Sequence, residues 1–297
     1  MEFMSVVQAA QLWGMSERSV RNYCAQGRVA GAFQVGRTWN IPEGAPRPVR
    51  ETTGPRGSGT QLLRRLRAEK KNGVHGGIYH KLQVELTYNS NHIEGSRLSL
   101  DQTRLIFETK SLVAGDVAVP VDDIIETGNH FRAVDYVIDT CGKPLSEKTI
   151  KELHRILKTA TTDSAQDWLA IGEHKRLPSE IAGRQTTAPE DVASAIGALL
   201  ASYEPARKHT LDEIIAFHVA FERIHPFQDG NGRVGRLVML KECLASGVVP
   251  FIIADDMKAF YYRGLSEWDR EPGFLTDTCL TAQDRFVAAL DYFAIER

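Results

Sequence analysis

Apolar residues recur at helical spacing along most of the chain, and this pattern predicts its elements. The stretch LDEIIAFHVAFERI has side chains three and four positions apart that define one helix face: Ile214, Ile215, Phe217, His218, Phe221 and Ile224. The stretch LVMLKECL after it has the pattern of a second buried helix. Helix starts recur as well, with Ser99 and Gln102 in one capping box and Thr210 and Glu213 in another. Ser146 is a further N-cap, and Pro189 suits a first helical position.

The first 45 residues predict a different arrangement, two short helices followed by a hairpin. The first helix has a predicted apolar face made of Val6, Val7, Ala10 and Leu12. Gly14 ends this helix, Ser16 caps the next one, and Gly27 ends that one. The stretch VAGAFQVGRTWNIP then alternates loosely and turns near Gly36, as a small β-wing would.

A polar segment separates this head from the rest of the chain. Residues 45–60, APRPVRETTGPRGSGT, are rich in Pro, Gly, Ser and Thr and have no apolar periodicity. We therefore expect a winged helix-turn-helix domain at residues 1–45, a linker at 46–60, and a helical domain of eight to ten helices at 61–297. The fold class is mainly α. A short β-hairpin between residues 175 and 189, with two prolines and a glycine, interrupts the helices.

Composition narrows the class of protein. Apolar residues make up 42% and charged residues 25% of the 297, as in ordinary globular proteins, and no apolar run is long enough to span a bilayer. The N-terminus lacks the basic region of a secretory signal, and four scattered cysteines without a CxxC spacing suggest reduced thiols. We therefore expect a cytoplasmic protein without a membrane partner.

Charge is distributed unevenly along the chain. Residues 1–72 hold 12 Lys/Arg against 5 Asp/Glu, a net of +7, so the remainder carries −9 of the overall −2. A basic head on an acidic body is consistent with nucleic-acid contact. A solvated surface with a basic linker is the simpler interpretation, and charge alone leaves both open.

The segment HPFQDGNGRVGR, residues 225–236, carries the candidate chemistry. Pro226 cannot continue the preceding helix, so a loop follows, and Gly230 and Gly232 allow close backbone approach. The amide groups that open the next helix, from Gly230 through Asn231 and Gly232, would bind an anion such as phosphate. This loop is therefore a candidate polyphosphate site, with Phe227 as a core anchor.

The charged members of the segment suit transfer from a nucleotide. Arg233 and Arg236 lie three positions apart and suit phosphate oxygens, Asp229 suits Mg²⁺ or Mn²⁺, and His225 can accept a proton near neutral pH. Singly, each residue has a structural explanation as a cap, a turn former or a packing glycine. No structural role requires the complete set.

Together these residues resemble the Fic-family signature, His-x-Phe-x-Asp/Glu-Gly-Asn-Gly-Arg-x-x-Arg, at every fixed position. The resemblance extends over most of residues 60–297. It implies a multi-helix Fic fold and a protein adenylyltransferase that moves AMP from ATP to a Ser, Thr or Tyr hydroxyl, its own included. His225 is then the base, Asp229 the metal ligand, Gly230, Asn231 and Gly232 the anion hole, and Arg233 and Arg236 the ligands of the outer phosphates. Gly230 and Arg233 argue against the Doc-type kinase branch, while phosphocholine transfer remains open.

Upstream, YNSNHIEGS fits the family's inhibitory pattern through Ser90, Glu94 and Gly95. Ser90 and Glu94 are four apart at the end of a predicted helix around residues 80–95, hence on one face. The resemblance implies that Glu94 pairs with Arg236 and takes the place of the γ-phosphate. A surface glutamate before a helix stop is the simpler alternative. Removal of AMP from modified protein, aided by Glu94, is a second open activity.

Two more segments complete the predicted site map. Residues 177–183 resemble the family's target-positioning flap, whose residues here are Leu177, Pro178, Ser179, Glu180 and Ile181. The head resembles helix-turn-helix domains of the MerR and excisionase type, which would place DNA contacts at Arg18, Arg21 and Asn22. The alternative function is a DNA-binding transcriptional regulator whose Fic domain senses nucleotide. Such heads often act in pairs, so a homodimer is expected, and the sequence does not identify the protein substrate.

Overall fold

The computed structural model describes residues 2–25, 27–36, 38–48, 60–113, 118–181 and 183–296. The chain divides into two compact units, residues 1–51 with 256–282, and residues 52–255 with 283–297. The sequence had assigned residues 256–282 to the helical domain. Most of the predicted linker, residues 49–59, lies outside the described residues.

The N-terminal part of the first unit contains two short helices and a small antiparallel sheet, in the predicted chain order. Its elements at this end of the chain are β1 (Phe3–Met4), α1 (Val6–Trp13), α2 (Glu17–Ala25), β2 (Phe33–Val35) and β3 (Thr38–Pro42). The strands are ordered β1-β3-β2, and Gly36 turns the predicted hairpin with a positive φ of 61°. Gly14 ends α1 in the left-handed conformation, and the Ser16 hydroxyl caps α2 by accepting from the Ser19 N–H.

One prediction for α1 is wrong. Its buried face consists of Val6, Ala9, Ala10 and Trp13, whereas Val7 and Leu12 are 46% and 67% exposed. Positions 6, 9, 10 and 13 follow the three- and four-residue spacing of a helix face, and positions 7 and 12 do not. The apolar character of Val7 and Leu12 therefore misled the assignment.

Ten α-helices follow among the described residues after Thr60, which agrees with the predicted number. In chain order they are α3 (Gln61–Asn72), α4 (Ile78–Ile93), α5 (Leu100–Thr109), α6 (Val121–Thr140), α7 (Glu147–Lys158), α8 (Val192–Tyr203), α9 (Leu211–Ile224), α10 (Asn231–Ser246), α11 (Lys258–Ser266) and α12 (Gly273–Tyr292). The predicted hairpin lies between α7 and α8 as β4 (Glu180–Ile181) and β5 (Arg184–Gln185). None of the described helices is both long and apolar enough to cross a bilayer.

The helix starts agree with the sequence pattern. Ser99 with Gln102 and Thr210 with Glu213 form reciprocal capping boxes, and the Ser146 hydroxyl caps α7. Pro189 opens a 3₁₀ turn that leads into α8. The first N–H groups of a helix have no partner within the helix, and these capping side chains accept hydrogen bonds from them. The caps therefore determine where each helix begins.

Helix α10 is the buried helix of the second unit. Each of its residues except Gly232 is buried, and it packs against α6, α7 and α9. The core around it includes Phe221, Phe227, Val234 and Leu237, none of which is exposed. The first turn of α10 and the loop before it are therefore anchored in the core of the unit, which suits a site that needs fixed geometry.

Candidate active site

A six-residue loop, residues 225–230, joins α9 to α10 and is held by its own side chains. His225 ends α9 in the left-handed conformation with φ 52°, and Gly230 precedes α10 with φ 79°. The Asn231 side chain clamps the loop, because its Oδ1 accepts from the Phe227 N–H at 2.8 Å and its Nδ2 donates to the Phe227 carbonyl at 2.8 Å. Asn231, predicted as a phosphate ligand, thus has its side-chain amide engaged, and its backbone N–H is what it can offer to an anion.

Phe227 anchors this loop, as predicted. Its ring is fully buried and stacks on His154 of α7 with centroids 4.0 Å apart and planes 7° apart. The His154 ring is itself held in place, because its Nδ1 accepts a hydrogen bond from the Gly172 N–H at 2.9 Å. The loop is therefore tied to α7 as well as to α9 and α10.

The His225 imidazole is held in its neutral form. Burial lowers the pKa of His225 to about 4, and the Lys175 ammonium adds to this, while the Glu222 carbonyl and the Asp229 carboxylate act in the opposite direction. At neutral pH the ring is therefore unprotonated and able to accept a proton. Sequence inspection identified His225 but not Lys175, which lies 50 positions away in the chain.

The first turn of α10 is a site for a negatively charged group. A Cβ placed on Gly232 would clash with Glu94 Oε1 and lie 3.0 Å from Arg236 Nη1, so a side chain fits there only if Glu94 moves away. The Glu94 carboxylate therefore lies against the helix start, where free N–H groups and the helix dipole attract anions. The Glu94 carboxylate thus lies beside the helix start that the sequence predicted as the phosphate site.

Arg236 joins α10 to the end of α4. Its Nε donates to Ser90 Oγ at 3.0 Å, and its Nη2 donates to the Ser90 carbonyl at 2.9 Å and to Glu94 Oε1 at 2.7 Å. Arg236 and Ser90 are buried, whereas the Glu94 side chain is 32% exposed. The two predicted inhibitory residues thus meet the arginine that the sequence assigned to them.

Arg233 has different neighbours from Arg236. It forms ion pairs with Glu126 of α6 and, at 3.5 Å, with Asp229 Oδ2. Lys158, the last residue of α7, pairs with the same two carboxylates. The two arginines, expected on roughly one face, are each held by a separate acidic partner set. Glu126 and Lys158 were not singled out from the sequence, where each is one charged residue among many on a helix.

Asp229 is the residue available for a divalent cation. Burial disfavours its charged form, but the Arg233 and Lys158 charges outweigh this and lower the pKa of Asp229 to about 2. Its side chain is 45% exposed. The described residues contain no group of three or more His, Cys, Asp or Glu that could hold a metal ion by themselves. An ionised, accessible carboxylate beside an anion site fits Mg²⁺, which commonly takes one or two carboxylates and completes its shell with substrate phosphates.

The predicted flap is fastened to the same loop. The Lys175 N–H donates to the Pro226 carbonyl at 2.8 Å, and the Leu177 N–H donates to Gln228 Oε1 at 3.1 Å. The buried Lys175 ammonium donates to Ser179 Oγ and Thr186 Oγ1 across the base of the hairpin. The predicted flap residues Leu177, Pro178, Glu180 and Ile181 are exposed, and Ser179 is half-buried. The hairpin is therefore fastened to the loop that contains His225, and most of its predicted target-positioning residues are exposed.

The head residues lie in the first unit. Arg18 and Arg21 are exposed on α2, and Arg21 pairs with Glu17 at 2.7 Å. The Asn22 side chain lies outside what the structure describes. Asp277 accepts from the Ser16 and Ser19 hydroxyls at the start of α2. The N-terminal end of this helix is therefore occupied by a carboxylate.

Comparisons with known proteins relate the part of the chain that contains this loop to a known family. Residues 144–243 match the Fic/DOC family. The protein adenylyltransferase Fic of Nematostella vectensis is 29% identical over 184 residues, 61% of this chain and 42% of that protein. Its counterpart from Drosophila melanogaster is 30% identical over 209 residues, 67% of this chain and 38% of that protein. The chain thus spans about two fifths of the length of these curated relatives.

The fold also has solved neighbours. A Fic-domain-containing signalling protein from Bacteroides thetaiotaomicron superposes with a TM-score of 0.57 at 24% identity, over 77% of this chain and 90% of that one. At this identity the likeness concerns the fold. Residues 144–243 therefore match the Fic/DOC family, and the helical fold around them is that of Fic-domain proteins.

Proposed function

We propose that this chain transfers AMP from ATP to a Ser, Thr or Tyr hydroxyl of a protein. One observation carries the proposal: a neutral His225 lies at one end of a clamped loop whose other end is an anion-attracting helix start. The relatives from Nematostella and Drosophila bear the name protein adenylyltransferase, which favours AMP over other transferred groups.

Each residue of the candidate site has a separate proposed role in the transfer. The incoming hydroxyl oxygen forms a bond to the α-phosphorus, the bond from this phosphorus to the bridging oxygen breaks, and pyrophosphate leaves. The hydroxyl proton goes to His225, whose Nδ1 is buried, so Nε2 accepts it. The N–H groups at the start of α10 bind phosphate oxygens, and Arg233 and Arg236 bind the outer phosphates. Asp229 would hold Mg²⁺ or Mn²⁺, which supplies charge neutralisation for the polyphosphate.

Glu94 would keep this activity low. Its carboxylate lies at the anion position beside Gly232 and shares Arg236 with Ser90. A terminal phosphate needs the same arginine and the same space, and two anions at one site repel each other. We therefore propose that ATP binds productively only when Glu94 leaves Arg236.

Replacing Glu94 tests the transfer and its inhibition together. Glu94→Gly should raise incorporation of label from [α-³²P]ATP into the protein by at least tenfold, since it frees Arg236 and the helix start. Glu94→Gln keeps the shape without the charge and should give an intermediate rise. Label from [γ-³²P]ATP should not be incorporated.

His225→Ala in the Glu94→Gly background is the control, and it should abolish labelling. Equal, detectable labelling of wild type and Glu94→Gly would refute the inhibition. Absence of label in both, with ATP bound, would refute self-modification, and absence of label on added protein targets as well would refute adenylyl transfer. Mass spectrometry of the modified peptide would separate AMP from other donor groups and identify the hydroxyl.

The flap is proposed to position the target segment. Exposed residues Glu180 and Ile181 form a strand that an extended peptide can join, which brings a hydroxyl towards His225. Ile181→Pro should lower labelling of a target protein severalfold while leaving ATP binding intact. Equal losses in both measurements would contradict a docking role.

DNA binding by the head is a second, separable proposal. Arg18 and Arg21 are exposed on α2, the second helix of the predicted helix-turn-helix, and both can reach phosphates. Because Asp277 occupies the N-terminal end of α2, contacts would come from these arginines further along the helix. In this alternative the second unit senses nucleotide, and His225→Ala would abolish transfer without changing DNA binding.

A further inference from the structure

Four charged side chains form a closed ring beneath the loop that follows α9. Lys158 Nζ lies 2.6 Å from Glu126 Oε1 and 2.6 Å from Asp229 Oδ2. Arg233 completes the ring, with one nitrogen on Glu126 Oε2 and another 3.5 Å from Asp229 Oδ2. Two cations thus alternate with two anions, and the ring joins α6, α7 and α10.

Lys158 is the least expected member of this ring. It is 2% exposed, although burying an ammonium costs several kcal/mol unless carboxylates compensate for the lost water. Two carboxylates, from Asp229 and Glu126, lie against its ammonium and compensate for the lost water. A methionine or leucine would fill the same space at lower cost, so the retained charge indicates a role beyond packing.

The contacts of Asp229 indicate what that role is. Both of its ion pairs, to Lys158 and to Arg233, are made through Oδ2. An aspartate on a loop rotates about two side-chain bonds, and a carboxylate that binds a metal usually needs a further partner to fix its orientation. Lys158 is itself fixed by Glu126, so the orientation of Asp229 is set from the interior of the fold.

We propose that Lys158, held by Glu126, is a positioning residue for Asp229 in the proposed AMP transfer. It binds Oδ2 and thereby leaves Oδ1 as the oxygen that takes the divalent cation accompanying ATP. This inference rests on the proposed function. It assigns Lys158 no contact with substrate, in keeping with its burial.

The test measures how much a metal strengthens nucleotide binding. In the Glu94→Gly background, the Kd of α,β-methylene-ATP is determined by calorimetry with and without Mn²⁺, and the ratio of the two is the metal-dependent gain. Lys158→Met should reduce this gain by about tenfold, at the lower end of losses seen when such supporting partners are removed. The Kd without Mn²⁺ should change by less than about threefold, and Lys158→Arg should restore part of the gain.

A matched control comes from the same core. Lys241 of α10 is also fully buried and paired with a carboxylate, at 3.1 Å from Glu242, but it is not part of the ring. Lys241→Met should lower the melting temperature and leave the metal-dependent gain unchanged. A general loss of stability would lower nucleotide binding with and without metal alike.

Each outcome decides the proposal. An unchanged or larger gain in Lys158→Met, or no gain in the Glu94→Gly parent, overturns it. If Lys158→Met does not fold, Glu126→Gln replaces it and should reduce the gain by about threefold, since Lys158 keeps one anchor. A parent that shows the gain but transfers no AMP refutes the proposed function and leaves the positioning role standing.

Discussion

The His225 imidazole and the Lys175 ammonium form one electrostatic unit, although they belong to different elements. Burial keeps His225 neutral, and the positive charge of Lys175 disfavours a second positive charge nearby. Lys175 is itself buried, and burial lowers the pKa of its ammonium. Lys175 thus hydrogen-bonds across the base of the flap and also lowers the pKa of His225, the proposed base.

Removing that lysine should change the titration of the histidine. The pKa of His225 is about 4, so the ring is neutral above pH 4 and becomes charged as the pH falls through that value. Lys175→Met removes a repulsive charge and should raise the pKa of His225 towards 6.5 by about one unit, within the range of shifts that nearby charges cause. The measurement is the pH titration of the His225 Cε1–H signal by NMR, assigned with His225→Gln.

The exposed Lys148 supplies the control for this titration. Lys148→Met should leave the His225 signal unchanged. An unaltered titration curve in Lys175→Met would mean that burial alone sets the protonation of His225.

Among the helices, α4 has a row of buried polar residues that hydrogen-bond to α6, and we call this row the polar seam. Tyr79, Gln83, Thr87 and Asn91 follow one another at four-residue intervals, and all four are buried. Their partners on α6 include Asp135 for Tyr79 and Gln83, His130 for Thr87 and Thr127 for Asn91. Hydrogen bonds have direction, so this seam permits one register of α4, the one that brings Ser90 and Glu94 to Arg236.

Breaking one bond of the seam should weaken inhibition. Thr87→Val keeps the shape but leaves His130 Nδ1 without its 2.9 Å partner in a fully buried position. The expected cost is about 1–3 kcal/mol of stability, together with severalfold higher labelling from [α-³²P]ATP while Glu94 is still present. Calorimetry and the labelling assay measure the two effects.

Thr109→Val on α5, which removes an exposed hydroxyl, is the matched control and should alter neither quantity. A lower melting temperature with unchanged labelling would show that the seam stabilises the fold without governing Glu94.

At the scale of the whole molecule, the chain consists of two compact units, and residues 256–282 belong to the first. The proposed transfer depends on the second unit, and the proposed DNA contact depends on the first. Separate sites predict separable losses of function, which point substitutions can test in the full-length chain.

If the head binds DNA, the double variant Arg18→Ala, Arg21→Ala should bind a fluorescent duplex more weakly at every salt concentration. Each lost phosphate contact should also reduce the slope of log K against log salt by roughly one unit. Fluorescence anisotropy over a salt series measures both. Arg104→Ala, an exposed arginine on α5, is the control, and binding that is absent or insensitive to salt would exclude the DNA proposal.

Local patterns in the sequence were sufficient to predict most helices, the hairpins and the candidate loop. Helix periodicity, capping boxes and glycine stops depend on neighbours within a few residues, so they can be read locally, as at Thr210, Glu213 and Gly230. The residue types and their spacing within residues 225–236 were likewise sufficient to predict a polyphosphate site with a proton acceptor. The face of α1 was misassigned because two apolar side chains, Val7 and Leu12, remain exposed.

The ion pairs and pKa effects between distant residues depend on the three-dimensional fold and could not be predicted from the sequence pattern. The fold brought Glu94 to Arg236, Lys175 near His225, and Lys158 to both Asp229 and Glu126. It also engaged the Asn231 side chain in the loop and separated the partners of Arg233 from those of Arg236. The pairings between elements span from 32 positions, for Glu126 and Lys158, to 142 positions, for Glu94 and Arg236. An ion pair or a pKa shift depends on distance in space and on burial, and neither is encoded in local spacing.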